Sequence, residues 1–163
     1  MTTKVERGSR VPLGPVSVEL PADARSVAAA RKVVRSTLSD WDLDHLCDTV
    51  TLLTSELATN AILHARTPLL LQLERRSGAL RVTVADNNPS TPHRRTNGLQ
   101  AGTGRGLALI ETMAEVWGTD RPFRGHAKGV WFELLEDGSH PAASDEGLIY
   151  GENWLALAED RSR

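Results

Sequence analysis

The sequence predicts an α+β fold, a two-layer sandwich in which three main helices cover one face of a mixed, mostly antiparallel sheet. Two observations support this prediction. Apolar residues recur at steps of three and four in separate stretches, which is the spacing of amphipathic helices. Other short stretches either alternate between apolar and polar residues or are continuously apolar, and turn residues flank them. Both patterns are typical of strands. The order strand, helix, helix, hairpin, loop, helix, hairpin places the helices together on one side of the sheet.

The first regular elements follow a polar segment punctuated by glycine and proline. We expect this segment, residues 1–15, to be flexible. The pentapeptide VSVEL, residues 16–20, alternates with period two and predicts a strand. The stretch after it has Pro21 or Asp23 as a start signal and predicts a helix through about Leu38.

The clearest helical pattern lies in DWDLDHLCDTVTLLTSELATNAILHA, residues 40–65. Its apolar positions form one stripe. The members of this stripe are Leu43, Leu46, Cys47, Val50, Leu57, Ala58, Ala61 and Ala65. Pro68 ends the helix because proline lacks the N–H that a helix interior requires. Cys47 is the only cysteine, and its place on the stripe predicts a packing role.

A hairpin and a long loop come next. The stretch LLLQLERRSGALRVTVAD, residues 69–86, predicts two strands joined around Ser77 and Gly78. The loop NNPSTPHRRTNGLQA, residues 87–101, has no period and many breakers. Loops of this length in a compact domain are usually lids or disordered segments.

The last part of the domain contains a third helix and a second hairpin. The stretch GTGRGLALI, residues 102–110, opens the helix, and strands are expected around 117–121 and over 129–135. The sequence thus predicts a domain over residues 16–135. Residues 136–163 are expected to be an acidic tail with a short helical patch, NWLALAE.

Composition narrows the functional classes. The 163 residues suit one domain, and a formal net charge of −2 gives no electrostatic basis for binding nucleic acid. One cysteine cannot form an intramolecular disulfide or a cysteine-based zinc site. There is no apolar run of roughly 20 residues that could cross a bilayer, and no apolar segment follows the charged N-terminus as in a signal peptide. We therefore expect a soluble, cytoplasmic protein without a membrane partner.

Glu56 and Asn60 are four residues apart, so they share one edge of the long helix beside its apolar stripe. Taken alone, this pair is more often a solvated polar edge than a site. The functional alternative combines a carboxylate that can accept a proton with an amide oxygen that can bind Mg²⁺. His64 extends the row by one turn, and an edge position is its favoured role because asparagine is a poor ligand for transition metals.

Asp86 ends a predicted strand at the start of the long loop. An aspartate there is often only a turn former, whose side chain binds nearby backbone. The alternative is a buried carboxylate that accepts a hydrogen bond from an exocyclic amine of a small molecule. Both interpretations stay open at this point.

Three glycines on alternate positions, Gly102, Gly104 and Gly106, lead directly into the third helix. Glycine allows close approach to the backbone, and the first N–H groups of a helix attract anions, so a phosphate site is one hypothesis. A flexible link is the plain alternative. The spacing matches neither the P-loop nor the Rossmann fingerprint, and the protein-kinase motifs are absent from the sequence.

Taken together and in this order, the motifs resemble the GHKL family of ATP-binding domains, which includes gyrase, histidine kinase catalytic domains and anti-sigma factor serine kinases. The segment ELATNAILHA resembles the N box of that family, VADNNP its first glycine box and GTGRGLALI its second. The later WG and KGVWFEL resemble the closing strands of the small, free-standing bacterial anti-sigma factor kinases. The resemblance covers residues 16–135.

The resemblance implies roles for these residues. Glu56 would be the general base, Asn60 the Mg²⁺ ligand, and Asp86 the acceptor for the adenine amine. The glycine stretch would bind the phosphates of ATP. The full set implied to contact the nucleotide is Asn60, Asp86, Gly102, Thr103, Gly104, Arg105, Gly106, Leu107 and Lys128, with Arg105 or Lys128 offering positive charge.

Two positions depart from the pattern of the family. The glycine that normally follows the aspartate of the first box is replaced by Asn87 and Asn88, and asparagine tolerates the left-handed backbone that such a turn needs. Many relatives have Lys-Thr before Val-Trp-Phe, where this chain has Lys128 and Gly129, so the threonine hydrogen bond to the adenine carboxylate would be missing. Both changes lie near Asp86, where the resemblance places the adenine, and not near Glu56 or Asn60. They therefore predict a weakened affinity for the nucleotide with the catalytic residues intact.

The leading functional hypothesis is therefore an ATP-binding regulatory protein, an anti-sigma factor-like serine/threonine kinase. It would transfer the γ-phosphoryl group of ATP to a hydroxyl of an antagonist protein. The alternative is a non-catalytic, ATP-dependent module that binds a sigma factor. A detached histidine kinase catalytic domain is a third, weaker hypothesis. Relatives are often dimers, so a homodimer is one further expectation.

Overall fold

A five-stranded antiparallel sheet forms one layer of the protein, in the spatial order β1-β2-β3-β5-β4. The strands are β1 (Val16–Leu20), β2 (Leu69–Arg76), β3 (Ala79–Asp86), β4 (Val116–Asp120) and β5 (Lys128–Leu135). The coordinates are a computed structural model that describes residues 14–90 and 105–139. Within these ranges every strand pairing is antiparallel, so the α+β fold class is confirmed and the sheet is antiparallel throughout rather than mixed.

In the described ranges, three helices form the second layer. They are α1 (Arg25–Asp40), α2 (Cys47–Ala65) and α3 (Arg105–Met113), and a single 3₁₀ turn, Asp44–Leu46, precedes α2. The predicted stretch 40–65 therefore contains a break, since α1 continues to Asp40 and α2 starts only at Cys47. The break is at Asp42, whose φ of 58° is left-handed. The next amide, Leu43 N–H, donates to Leu38 O at 2.8 Å, which is how helices commonly end.

The core lies between the helices and one face of the sheet. Alternate residues of the central strands are fully or almost fully buried and point towards the helices: Leu69, Leu71, Leu73, Leu80, Val82, Val84, Val130, Phe132 and Leu134. Six of the eight residues of the predicted stripe are buried, two of them (Leu43 and Leu46) just before α2, whereas Cys47 and Ala65 are only half-buried. The prediction omitted Leu53 and Thr54, both 0% exposed. The reason is that α2 is the middle helix, in contact with α1, α3 and β3, and so buries a wider face than an outer helix does.

The connection between β4 and β5 folds back over the second face of the sheet. Phe123 lies against Gly129 and Thr83 on that face. Farther across, His126 Nε2 lies 3.4 Å from Glu19 Oε1, on the edge strand β1. Thr83 is consequently buried although it points away from the helices. This connection also fixes the start of β5, which is part of the candidate site.

The limits predicted for the domain, residues 16 and 135, coincide with the start of β1 and the end of β5. The division of the chain stays a prediction, because residues 1–13 and 140–163, including the helical patch of the tail, lie outside the described residues. Most of the predicted long loop, residues 91–101, also lies outside them, as do residues 102–104 of the glycine stretch. In the part of the chain that the structure describes, no helix has the length and apolar character needed to cross a membrane.

Candidate functional site

The first turn of α3 lies against the middle of α2 at Gly106. A β-carbon placed on Gly106 would be 3.1 Å from both Cβ and Oε2 of Glu56, and 3.3 Å from Asn60 Nδ2. These distances are shorter than ordinary van der Waals contacts, so the two helices can come this close only because residue 106 has no side chain. The structure thus brings the Glu56 and Asn60 motif together with the end of the glycine stretch.

Glu56 and Asn60 are both half-buried, one turn apart on the side of α2 that faces α3. Within residues 14–90 and 105–139, no hydrogen-bond donor or acceptor pairs with either side chain. The site therefore contains a carboxylate and an amide that keep their hydrogen-bonding capacity beside a helix N-terminus. The N–H groups of that first turn have no partners inside the helix.

Asp86 and Lys128 form a buried ion pair at the corner where β3 ends and β5 begins. Their side chains are 6% and 7% exposed, and Lys128 Nζ lies 2.8 Å from Asp86 Oδ1. Lys128 Nζ also donates to the carbonyl oxygen of Asn88 at 2.6 Å. The two residues face each other in the β3–β5 register. Because burying two charges is costly, such a pair needs the additional hydrogen bonds seen here.

The short loop after Asp86 attaches this corner to α2. Asn88 Nδ2 donates to His64 O at 3.3 Å, one turn beyond Asn60. Gly106 and Asn88 therefore contact neighbouring turns of α2, and the three sequence motifs follow one another along that helix. The Asp86 end and the Gly106 end of the site are joined along α2 by the side chains of Glu56 and Asn60 and the backbone carbonyl of His64.

The loop keeps its shape by a means other than the one expected. A left-handed backbone is found at neither Asn87 nor Asn88. Instead, Asn88 N–H donates to Asp86 Oδ1 at 2.8 Å and Ser90 N–H donates to Asn88 Oδ1 at 2.9 Å, as in Asx turns. Asn87 Oδ1 accepts from Ala127 N–H at 3.2 Å, which ties the loop to the segment before β5. The asparagines thus replace glycine through their side-chain hydrogen bonds.

Gly129 explains the second departure from the family pattern. A β-carbon at this position would lie 2.9 Å from Phe123 Cγ and 2.9 Å from Thr83 Cγ2, on the face of the sheet opposite the helices. A side chain here would collide with the β4–β5 connection and would start on the side away from Asp86. The carboxylate is nevertheless held, because the preceding residue, Lys128, donates to it. Sequence reasoning missed this bond, although adjacent positions of a strand point to opposite faces.

The rest of the glycine stretch is described only in part. Gly102, Thr103 and Gly104 lie outside the described residues, and Arg105 is described only as the first residue of α3. The side chain of Leu107 is 3% exposed and packs in the core. Any contact of Leu107 with a ligand would therefore be made by its backbone.

A groove of about 260 Å³ lies away from these residues. Its lining comes from the 3₁₀ turn and the start of α2, the end of α3 and the end of β5, including Leu46, Met113 and Leu134. Since Lys128 is at the opposite end of β5, this groove is not part of the candidate site.

A sequence model of a known domain family matches the chain. The sequence model of the histidine kinase-like ATPase domain matches residues 20–129, a stretch that includes Glu56, Asn60, Asp86, Gly106 and Lys128. A search of curated proteins found no match. Since the matched residues make up more than half of the chain, the protein belongs to the family of histidine kinase-like ATPase domains.

Proposed function

We propose that this protein is a regulatory kinase that transfers the γ-phosphoryl group of ATP to a serine or threonine hydroxyl of another protein. Membership of the ATPase-domain family supports ATP as the bound nucleotide. The observation that carries the proposal is the contact of Gly106 with Glu56 and Asn60. It brings a carboxylate and an amide to a helix N-terminus, where phosphate groups bind favourably.

The nucleotide would lie along α2, with its base at Asp86 and its phosphates at the start of α3. Asp86 Oδ1 receives two hydrogen bonds within the protein, from Lys128 Nζ and Asn88 N–H. Its other oxygen, Oδ2, receives none from the described residues and would accept the adenine amine. The backbone from Gly102 to Leu107 would bind the phosphates, and Arg105 would add positive charge.

The proposed chemical step is a direct transfer. The hydroxyl oxygen of the substrate protein forms a bond to the γ-phosphorus while the bond from that phosphorus to the bridging oxygen of ADP breaks. Glu56 orients the hydroxyl and takes its proton, and ADP leaves with the electron pair of the broken bond. Because phosphoryl transfer depends mainly on positioning and charge stabilisation, one well-placed carboxylate is a sufficient base.

Asn60 is the residue that would hold Mg²⁺. The residues fit this ion, because an amide oxygen is a hard ligand and Mg²⁺ usually takes one or two protein oxygens together with phosphate and water. Because Gly106 has no β-carbon, no side chain at position 106 separates Asn60 from the N-terminus of α3. When bound, Mg²⁺ supplies charge neutralisation on the phosphate groups.

The proposed partner is a sigma factor or an anti-sigma-factor antagonist protein in the cytoplasm. This part of the proposal depends on the resemblance of the motifs to the free-standing anti-sigma factor kinases. A homodimer likewise stays a prediction from that resemblance.

The test compares the wild type with Glu56→Ala, Asn60→Ala and a matched control, His64→Ala. His64 is exposed on the same helix, and only its backbone carbonyl bonds with Asn88. ATP binding is measured by calorimetry with and without Mg²⁺, and transfer is followed with γ-labelled ATP and purified antagonist proteins. Glu56→Ala is expected to bind ATP and transfer nothing, Asn60→Ala to lose the Mg²⁺-dependent part of binding, and His64→Ala to behave as the wild type.

The outcomes separate the candidate functions. Normal transfer by Glu56→Ala would show that Glu56 is not the base. ATP binding by the wild type without any transfer would favour the non-catalytic sigma-factor-binding module. A transferred phosphate that is labile in acid would indicate phosphohistidine and thus a histidine kinase domain, whereas phosphoserine survives acid.

A further inference from the structure

We infer that Lys128 recognises the nucleotide base together with Asp86, by donating a hydrogen bond to ring nitrogen N1 of adenine while Asp86 Oδ2 accepts from the 6-amino group. This inference rests on the proposed function, because it takes Asp86 as the adenine end of an ATP site. It gives Lys128 a role in base specificity rather than in phosphate binding.

The first observation is an unused donor on a buried lysine. The Lys128 ammonium has three N–H donors. One is used by Asp86 Oδ1 at 2.8 Å and another by Asn88 O at 2.6 Å. Within residues 14–90 and 105–139 the third has no acceptor, although the side chain is only 7% exposed. A buried donor left without a partner is costly, so a ligand atom at this point would stabilise it.

The second observation is an unused acceptor on the same ion pair. Both hydrogen bonds to Asp86 fall on Oδ1, from Lys128 Nζ and from Asn88 N–H. Among the described residues, none donates to Oδ2, while the Asp86 side chain is 6% exposed. The pair therefore offers one donor and one acceptor next to each other at a single buried corner.

This arrangement is complementary to the Watson–Crick edge of adenine. That edge presents the 6-amino donor beside the N1 acceptor. Guanine presents the reverse pattern, a carbonyl acceptor at position 6 beside an N1–H donor. If guanine occupied the same position, its 6-carbonyl oxygen would face the Asp86 carboxylate, acceptor against acceptor. Its N1–H would face the Lys128 ammonium, donor against donor. The ion pair thus selects adenine at two adjacent atoms.

The lysine is held firmly enough to serve as a specific contact. The β3–β5 register places it opposite Asp86, and its bond to Asn88 O connects it to the loop that Asn88 Nδ2 attaches to α2. Swinging the ammonium towards phosphate would break both of its hydrogen bonds and leave a buried carboxylate without its counter-charge. Recognition at the base needs no such movement.

The test uses ATP and 1-deaza-ATP, in which a C–H group replaces N1, with the wild type and Lys128→Met. Dissociation constants are measured by calorimetry. The wild type is expected to bind 1-deaza-ATP about 10- to 100-fold more weakly than ATP, since a hydrogen bond to a charged group is lost and a buried donor is left unpaired. Lys128→Met is expected to bind the two nucleotides equally. As a matched control on the ligand, 7-deaza-ATP should give the same ratio to ATP in both proteins.

Lys128→Arg is a second variant for the case that Lys128→Met does not fold, because arginine keeps the positive charge beside Asp86. Its preference for ATP over 1-deaza-ATP should be smaller than that of the wild type. Equal binding of ATP and 1-deaza-ATP by the wild type would overturn the inference and leave the proposed function intact. An unchanged preference in Lys128→Met, or tighter ATP binding by that variant, would overturn it as well. Failure of the wild type to bind ATP at all would instead overturn the proposed function.

Discussion

Replacing Gly106 by alanine tests the geometry of the candidate site most directly. The new β-carbon would lie 3.1 Å from Glu56 Oε2 and 3.3 Å from Asn60 Nδ2, so these neighbours must move by a few tenths of an ångström. Alanine favours a helix over glycine by about 1 kcal/mol, whereas overpacking costs about 1–3 kcal/mol. The free energy of unfolding should therefore fall by no more than about 2 kcal/mol.

The effect on function should be larger than the effect on stability. A misplacement of 1 Å can cost a reaction about 100-fold, so a shift of a few tenths of an ångström at Glu56 and Asn60 is expected to lower phosphoryl transfer roughly 10-fold. ATP affinity measured by calorimetry should fall less than the transfer rate, because Asp86 and Lys128 at the other end of the site are untouched. Stability is measured in parallel by chemical denaturation.

Gly14→Ala is the control, since a β-carbon at Gly14 meets nothing within 4 Å. It should change neither transfer nor ATP binding. If Gly106→Ala transferred phosphate at the wild-type rate with unchanged stability, the close contact between α2 and α3 would not be a feature of the working site. The reasoning from Gly106 to Glu56 and Asn60 would then be refuted.

Three further predictions concern the fold and the site. Gly129→Thr, which restores the residue common in relatives, should lower the free energy of unfolding by about 1–3 kcal/mol because its β-carbon meets Phe123 at 2.9 Å, and denaturant unfolding with unchanged stability would contradict this. Phe132→Ala should cost about 3–5 kcal/mol because Phe132 is fully buried, whereas a loss below about 1 kcal/mol in the same assay would be inconsistent with a packed core there. The Arg25 guanidinium and, to a smaller extent, the Arg25 backbone N–H donate hydrogen bonds to the Asp23 carboxylate and lower its pKa from 3.8 to about 2. Asp23 therefore stabilises the fold above pH 3.8, and this contribution is lost as the pH falls towards 2. Asp23→Asn should therefore lose less stability than the wild type between pH 5 and pH 2, and equal losses in denaturant titrations would count against the assignment.

Much of the fold could be predicted because its signals are local. The alternation in 16–20 and the turn at Ser77 and Gly78 depend on neighbouring residues, and the structure has a strand and a hairpin at these places. The break at Asp42 was missed because the predicted apolar stripe starts at the next residue, Leu43, and the spacing of apolar residues does not show the left-handed backbone of Asp42. The burial of Leu53 was missed because it depends on which elements surround α2.

The candidate site could likewise be predicted from the sequence only in part. The motifs around Glu56, Asp86 and Gly106 were visible in the sequence, because each is short and the order of the motifs is typical of the family. The bond from Lys128 to Asp86 was not visible, because it joins residues 42 apart through a strand register. The sequence predicted that the Asp86 carboxylate would lack a hydrogen bond because residue 129 is glycine rather than threonine. The bond from Lys128 supplies a hydrogen bond to that carboxylate instead.

The sequence by itself determined the fold class, the strand and helix segments, and the residue types able to bind a nucleotide, because local spacing and turn chemistry are written within a few residues. Only the tertiary structure decided what these residues contact. It placed Gly106 on Glu56 and Asn60, and it paired Lys128 with Asp86 at a buried corner. The physical reason is that helix packing and strand register act between distant parts of the chain, where close approach, burial and the pairing of charges depend on all the surrounding elements at once.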